Sequence, residues 1–159
     1  MNFIFISPQF PKHYWNFCDR LKKDGVNVLG IGDSPYDALS DELKNALTEY
    51  YYLPHLDDYG EMVKAVGFFT FKYGKIDWIE SNNEFWLAQD ARLRTDFHVT
   101  TGEQYDHIDR IKNKSAMKAY YAKAGVPTAR LHKVTSFEAG RDFAHMVGYP
   151  VIVKPDRSE

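Results

Sequence analysis

Segments with strand pattern and segments with helix pattern alternate along this chain, and no other feature constrains its fold as much. Asn2–Ser7 reads as a buried strand, closed off by Pro8 and Pro11. A helix is expected from about Lys12 to Lys23, with Trp15, Cys18 and Leu21 near one face, stopped by Asp24 and Gly25. Val26–Ile31 is a second strand. Ser40 caps a helix reaching Thr48, with Leu43 and Leu47 four apart, and Tyr50–Leu53 is a third strand. The spacing of Met62, Val66, Phe69 and Tyr73 predicts a long helix over 58–73. A fourth strand over 75–79 and a helix over 84–97 follow. Strand and helix in strict alternation give an α/β fold with a parallel sheet.

The remaining residues carry clearer boundary signals. Asn113 is placed to cap a helix over 114–124, whose stripe is Met117, Tyr120, Tyr121 and Ala124. Gly125 and Pro127 stop it. Arg130–Val134 is a strand candidate. Thr135, with Glu138 three residues on, forms a capping-box pattern for a helix whose inward stripe is Ala139, Phe143, Met146 and Val147. Val151–Val153 reads as a buried strand ending at Lys154. A buried strand with so little after it leaves a sheet edge uncovered, so the 159 residues read as part of a longer protein.

Charge divides the chain where the pattern changes. Residues 109–159 carry ten Lys/Arg against five Asp/Glu, and residues 1–108 carry ten against seventeen. The net charge of −2 argues against a dedicated nucleic-acid binder. With 44% hydrophobic and 26% charged residues the chain has globular composition. Its single cysteine, Cys18, excludes an intrachain disulfide and a cysteine zinc cluster, and suits packing better than nucleophilic chemistry. No segment approaches the roughly 20 apolar residues of a membrane span. The expectation is a soluble, cytoplasmic protein with no nucleic-acid or membrane partner.

Several chemistries lack their motifs. There is no P-loop and no nucleophile elbow. Gly30 and Gly32 form a lone G-x-G after the second strand rather than the first, without the third glycine of a dinucleotide site. The six histidines never take metal-ligand spacing and read as surface or structural residues.

Two lysines stand out. Lys114 begins a helix, where backbone N–H groups and the dipole favour anions. Lys154 ends a strand, and ligands of α/β proteins collect at that carboxyl end. The pair would suit a polyphosphate, and solvated surface lysines would look the same by position alone. Their surroundings are more informative. Residues 113–118, then 124–128, then Val147–Pro155 closely resemble the opening of the nucleotide-binding domain of the ATP-grasp superfamily. The resemblance is to the branch holding carbamoyl-phosphate synthase large subunits, biotin carboxylase and carboxylate–amine ligases. Lys114 and Gly125 keep the family spacing, and residues 148–155 match its strand motif. Residues 83–102 look like the last helix and exit loop of the family's preceding domain.

The resemblance implies a Rossmann-like pre-ATP-grasp domain over 1–108 and the beginning of an α+β ATP-grasp domain over 109–159. It implies that Lys114 and Lys154 contact ATP phosphates. Family members activate a carboxylate as an acyl phosphate with Mg-ATP, and an amine or similar nucleophile displaces the phosphate. The implied partners are a small-molecule carboxylate and an amine. The preceding domain often contributes to the acceptor site or a dimer contact, so a homodimer belongs to the same expectation. Glu80, Asn83 and Glu84, at the end of the fourth strand, are the acceptor-side candidates, with a capped helix start at Asn82 or Asn83 as the alternative. The family's glycine-rich phosphate loop, adenine-binding hinge and magnesium ligands are expected beyond residue 159. No catalytic residue or metal ligand is therefore expected within the chain, and the isolated 159 residues should be inactive. Two competing readings are a non-catalytic flavodoxin-like binding or interaction module, and a truncated relative serving as a regulatory subunit.

Overall fold

A computed structural model describes residues 1–156, which form two compact units: one over Met1–Tyr105, the other beginning at Asp106. The first unit holds four strands in one parallel sheet: β1 (Asn2–Ile6), β2 (Asn27–Gly32), β3 (Glu49–Tyr52) and β4 (Trp78–Glu80), in the order β3-β2-β1-β4. Between them lie α1 (Trp15–Lys23), preceded by a 3-10 turn at Lys12–Tyr14, then α2 (Asp41–Ala46) and α3 (Tyr59–Tyr73); α4 (Leu87–Asp96) follows β4.

Alternate residues of β1 and β2 explain the layering. Ile4, Ile6, Leu29 and Ile31 point to one face, where Met62, Ala65, Val66 and Phe69 of α3 and Leu93 of α4 cover them. Phe5 and Val28 point to the other, against Cys18 of α1 and Leu43 and Ala46 of α2. Both faces are buried, as a parallel sheet requires, and this is why the strands read as near-continuous apolar runs. Burial pushes the Cys18 thiol up to about 12, in keeping with a packing role. Ser40 and Asp58 accept from the backbone N–H groups of Leu43 and Glu61, capping α2 and α3. The lone G-x-G has a packing cause. A Cβ at Gly32 would collide with the Gln9 side chain and the Tyr50 hydroxyl, and one at Gly30 would press on Leu47 and Tyr50 at 3.1 Å.

The second unit contains α5 (Asp109–Lys112), α6 (Lys114–Lys123) and α7 (Phe137–Val147). Several expectations change here. Neither Arg130–Val134 nor Val151–Val153 is a strand: a strand exists only with a ladder partner, and none pairs with either segment among the described residues. Ile152 and Val153 are 88% and 86% exposed. The cap of α7 is Ser136, which accepts from the Ala139 N–H, rather than Thr135. Met146 lies on the solvent side, and Ala144 takes the buried position. The α6 stripe is also largely open, with Tyr120 and Tyr121 exposed. In the first unit, α4 starts at Leu87 rather than 84 because residues 83–86 form a turn, in which the Trp86 N–H donates to the Asn83 carbonyl at 3.1 Å. Residues 157–159, the end of the expected second domain, lie outside the described residues.

Candidate functional site

In the first unit the chain leaves β1 toward β2 on one side and later returns to place β4 on the other. The carboxyl ends of β1 and β4 therefore flank the switch point at which open α/β sheets bind ligands. Both strands end there in left-handed backbone at non-glycine residues, Ser7 at φ 55° and Asn82 at φ 54°. Such conformations are uncommon and concentrate at functional turns. Tyr14 ties the region together by donating from its hydroxyl to the Asn82 carbonyl at 2.6 Å.

The β4–α4 turn is built by carboxylates. Glu80 Oε1 accepts from the N–H groups of Ser81 (3.0 Å) and Asn82 (3.3 Å). Asp90, fully buried, accepts from the Ser81 hydroxyl (2.6 Å) and N–H (3.1 Å) through Oδ2, while its Oδ1 has no protein partner. Arg94, 1% exposed, donates from Nη1 to the Ile79 carbonyl (2.7 Å) and from Nε to the Glu103 carbonyl (2.8 Å). Its Nη1 lies 3.4 Å from Glu80 Oε2. Gly102, at φ 81°, lets the exit loop lie on this guanidinium, where a Cβ would come within 3.3 Å of Nε. Burial raises the Asp90 carboxyl well above the ordinary carboxylate range; the nearby Glu80 charge acts the same way, and Ser81 and Arg94 oppose it.

Of the acceptor-side candidates, Glu80 and Asn83 shape this turn. Asn83 Oδ1 accepts from the Phe85 N–H at 3.0 Å, an Asx turn of the kind that opens a helix. Glu84 is exposed within the same turn. Asp90 and Arg94 escaped the sequence reading because charged residues default to solvent. Their signal was i,i+4 spacing beside the inward Ala91 of the same helix.

The second unit places Lys114 as the first residue of α6, and its backbone N–H donates to the Asp156 carbonyl at 3.0 Å. Asn113 occupies the cap position without a side-chain capping bond. The capping acceptor is Asp156, forty-one residues from Ser115: its Oδ1 takes the Ser115 N–H and its Oδ2 the Ser115 hydroxyl, both at 2.7 Å. Lys133 Nζ lies 3.2 Å from the same carboxylate. These contacts, led by the Ser115 hydroxyl, hold the Asp156 carboxyl at about 2, well below its usual range. Lys154 is exposed and sits in irregular chain rather than at a strand end, two residues before the one bonded to the start of α6. The fold thus brings the Lys154 segment to the Lys114 end of α6, where a carboxylate already occupies the position an anion would take. Among the described residues no group of three or more His, Cys, Asp or Glu gathers to hold a metal, and no helix is long and apolar enough to cross a membrane.

No family model matches the chain. Over 139 residues it is 27% identical to the carbamoyl phosphate synthase large chain of Clostridium botulinum (strain Alaska E43 / Type E3), covering 87% of this chain and 13% of that one. Over 95 residues it is 30% identical to alanine–anticapsin ligase of Bacillus subtilis, covering 60% and 19%. Its homologues are ATP-grasp proteins. The fold agrees. The L-amino acid ligase from Bacillus licheniformis superimposes with a TM-score of 0.65 at 16% identity, over 99% of this chain and 37% of that one. The biotin carboxylase domain of Hydrogenobacter thermophilus 2-oxoglutarate carboxylase gives 0.68 at 19%, over 92% and 33%; that domain is a dimer in complex with MgADP, ADP and bicarbonate. The chain therefore spans less than a fifth of these two curated ATP-grasp relatives and about a third of these two solved chains.

Proposed function

We propose that this chain is the N-terminal portion of an ATP-dependent ligase of the ATP-grasp type, joining a small-molecule carboxylate to an amine. The observation that carries the proposal is the meeting of the Lys154 segment with the Lys114 end of α6, inside the stretch that carries the family resemblance. Transfer of the ATP γ-phosphoryl group to the carboxylate releases ADP and gives an acyl phosphate; an amine then attacks the acyl carbon and inorganic phosphate leaves. In this reading the Lys114 and Lys154 side chains neutralise phosphate oxygens, while the first N–H groups of α6 stay bonded to Asp156. Magnesium, when bound, would supply positive charge against the transferring phosphate, and no described residue is assigned to hold it. The second unit is then the beginning of the nucleotide-binding domain and the first is the pre-ATP-grasp domain. Its β4–α4 turn is the acceptor-side element: Glu80 and Asn83 set the turn's shape and Glu84 rides on it.

A screen of carboxylate and amine pairs, with MgATP and the protein as its gene encodes it, tests this reading. ADP and phosphate should accumulate when both partners are present and stay at background with either alone. Residues 1–159 alone should give background in every case. Robust magnesium-dependent turnover by the 159 residues would refute that last expectation. Failure of every pair with the encoded protein would favour the flavodoxin-like binding module.

A further inference from the structure

We infer that Ser115 and Asp156 form a clamp that positions Lys114 and Lys154 against one polyphosphate. The inference rests on the nucleotide reading above and assigns a role to two residues that contribute no cation themselves. Three contacts define the clamp. The Asp156 carboxylate takes both the N–H and the hydroxyl of Ser115, and the Asp156 carbonyl takes the Lys114 N–H. Lys133 adds charge from the side.

The geometry says why this matters. Lys114 and Lys154 are far apart in sequence, and Lys154 lies in chain with no strand to hold it. Exposed residues flank it: Ile152 and Val153 offer nothing buried to anchor the segment. The Ser115–Asp156 contact is the described link that fixes the end of this segment to α6. Two charge-assisted bonds to one carboxylate, both at 2.7 Å, fix orientation as well as distance. A lysine two residues from such an anchor loses much of its freedom before the nucleotide arrives, and pre-organisation of this kind raises affinity without a new ligand contact. Ser115 and Asp156 are therefore positioning residues, acting through the two lysines.

Calorimetric titration of MgATP into the encoded protein tests the clamp, at a temperature below the melting point of every variant. Ser115→Ala and Asp156→Asn should each weaken binding about tenfold. The double variant should bind no more weakly than the worse single, because both remove the same contact. Ser115→Thr keeps the hydroxyl and should bind like the wild type, a rescue that a general loss of packing would not give. If Asp156→Asn melts too low to titrate, the Ser115→Ala and Ser115→Thr pair decides. Unchanged affinity in Ser115→Ala and Asp156→Asn, alongside loss in Lys154→Ala, would refute the clamp and leave the nucleotide reading standing. A double variant as weak as the product of the singles would refute it as well. A wild type that binds no MgATP would overturn the nucleotide reading, and the clamp with it.

Discussion

Replacing Arg94 by methionine is expected to destabilise the first unit by about 3–5 kcal/mol, the cost of breaking a buried charged network by removing one partner. The guanidinium is 1% exposed and donates to two backbone carbonyls, those of Ile79 and Glu103. Its removal also takes a cation away from Glu80, 3.4 Å distant, and from the neighbourhood of Asp90. The loss is large against the roughly 5–15 kcal/mol total stability of a typical domain. Arg94→Lys should recover only part of it, since a single ammonium cannot reproduce the planar fork that reaches both carbonyls. Urea unfolding followed by tryptophan fluorescence measures this, with Trp78 and Trp86 close to the network. A loss below about 1 kcal/mol, the scale of a surface ion pair, would mean that the network does not hold the turn.

Asp90→Asn should remove the loss of stability that Asp90 causes as pH rises through neutrality. The folded-state affinity of Asp90 for its proton is raised, first by burial and then by the Glu80 charge. A carboxyl that binds its proton more tightly when folded contributes stability fully below its unfolded pKa, about 4. That stability is lost as pH rises from there through the raised folded value, at up to about 1.4 kcal/mol per pH unit. The wild type should therefore be less stable at pH 8 than at pH 5. Asp90→Asn keeps an oxygen to accept from Ser81, removes the titration and should be the more stable of the two at pH 8. Parallel denaturation curves at the two pH values decide, and identical pH slopes for wild type and variant would show that Asp90 does not titrate in this window.

The first unit was legible in the sequence because its strands are buried on both faces and α2 and α3 carry their own caps. Residues 2–6, 27–32 and 59–73 sit close to their expected positions for that reason. The second unit shows the limit. Val151–Val153 has strand composition, but a strand is a property of two segments, and propensity cannot supply the ladder partner. The site divides the same way. Lys114 and Lys154 were singled out by local motif, and Glu80 and Asn83 by their place after the fourth strand, as candidates. Asp90 and Arg94 were missed because burial of a charge is decided by tertiary neighbours. The Ser115–Asp156 contact joins residues forty-one apart through one carboxylate, and no periodicity or spacing rule announces such a pairing.

In the function proposed above, the Lys114 and Lys154 ends of the second unit hold a nucleotide polyphosphate. Equilibrium binding of MgATP to the encoded protein, compared with Lys114→Ala and Lys154→Ala, tests it most directly. The account predicts saturable binding by the wild type and a loss of at least about tenfold in each variant, the scale of a charge-assisted contact. Equal affinity in all three proteins, or no binding in any of them, would contradict it.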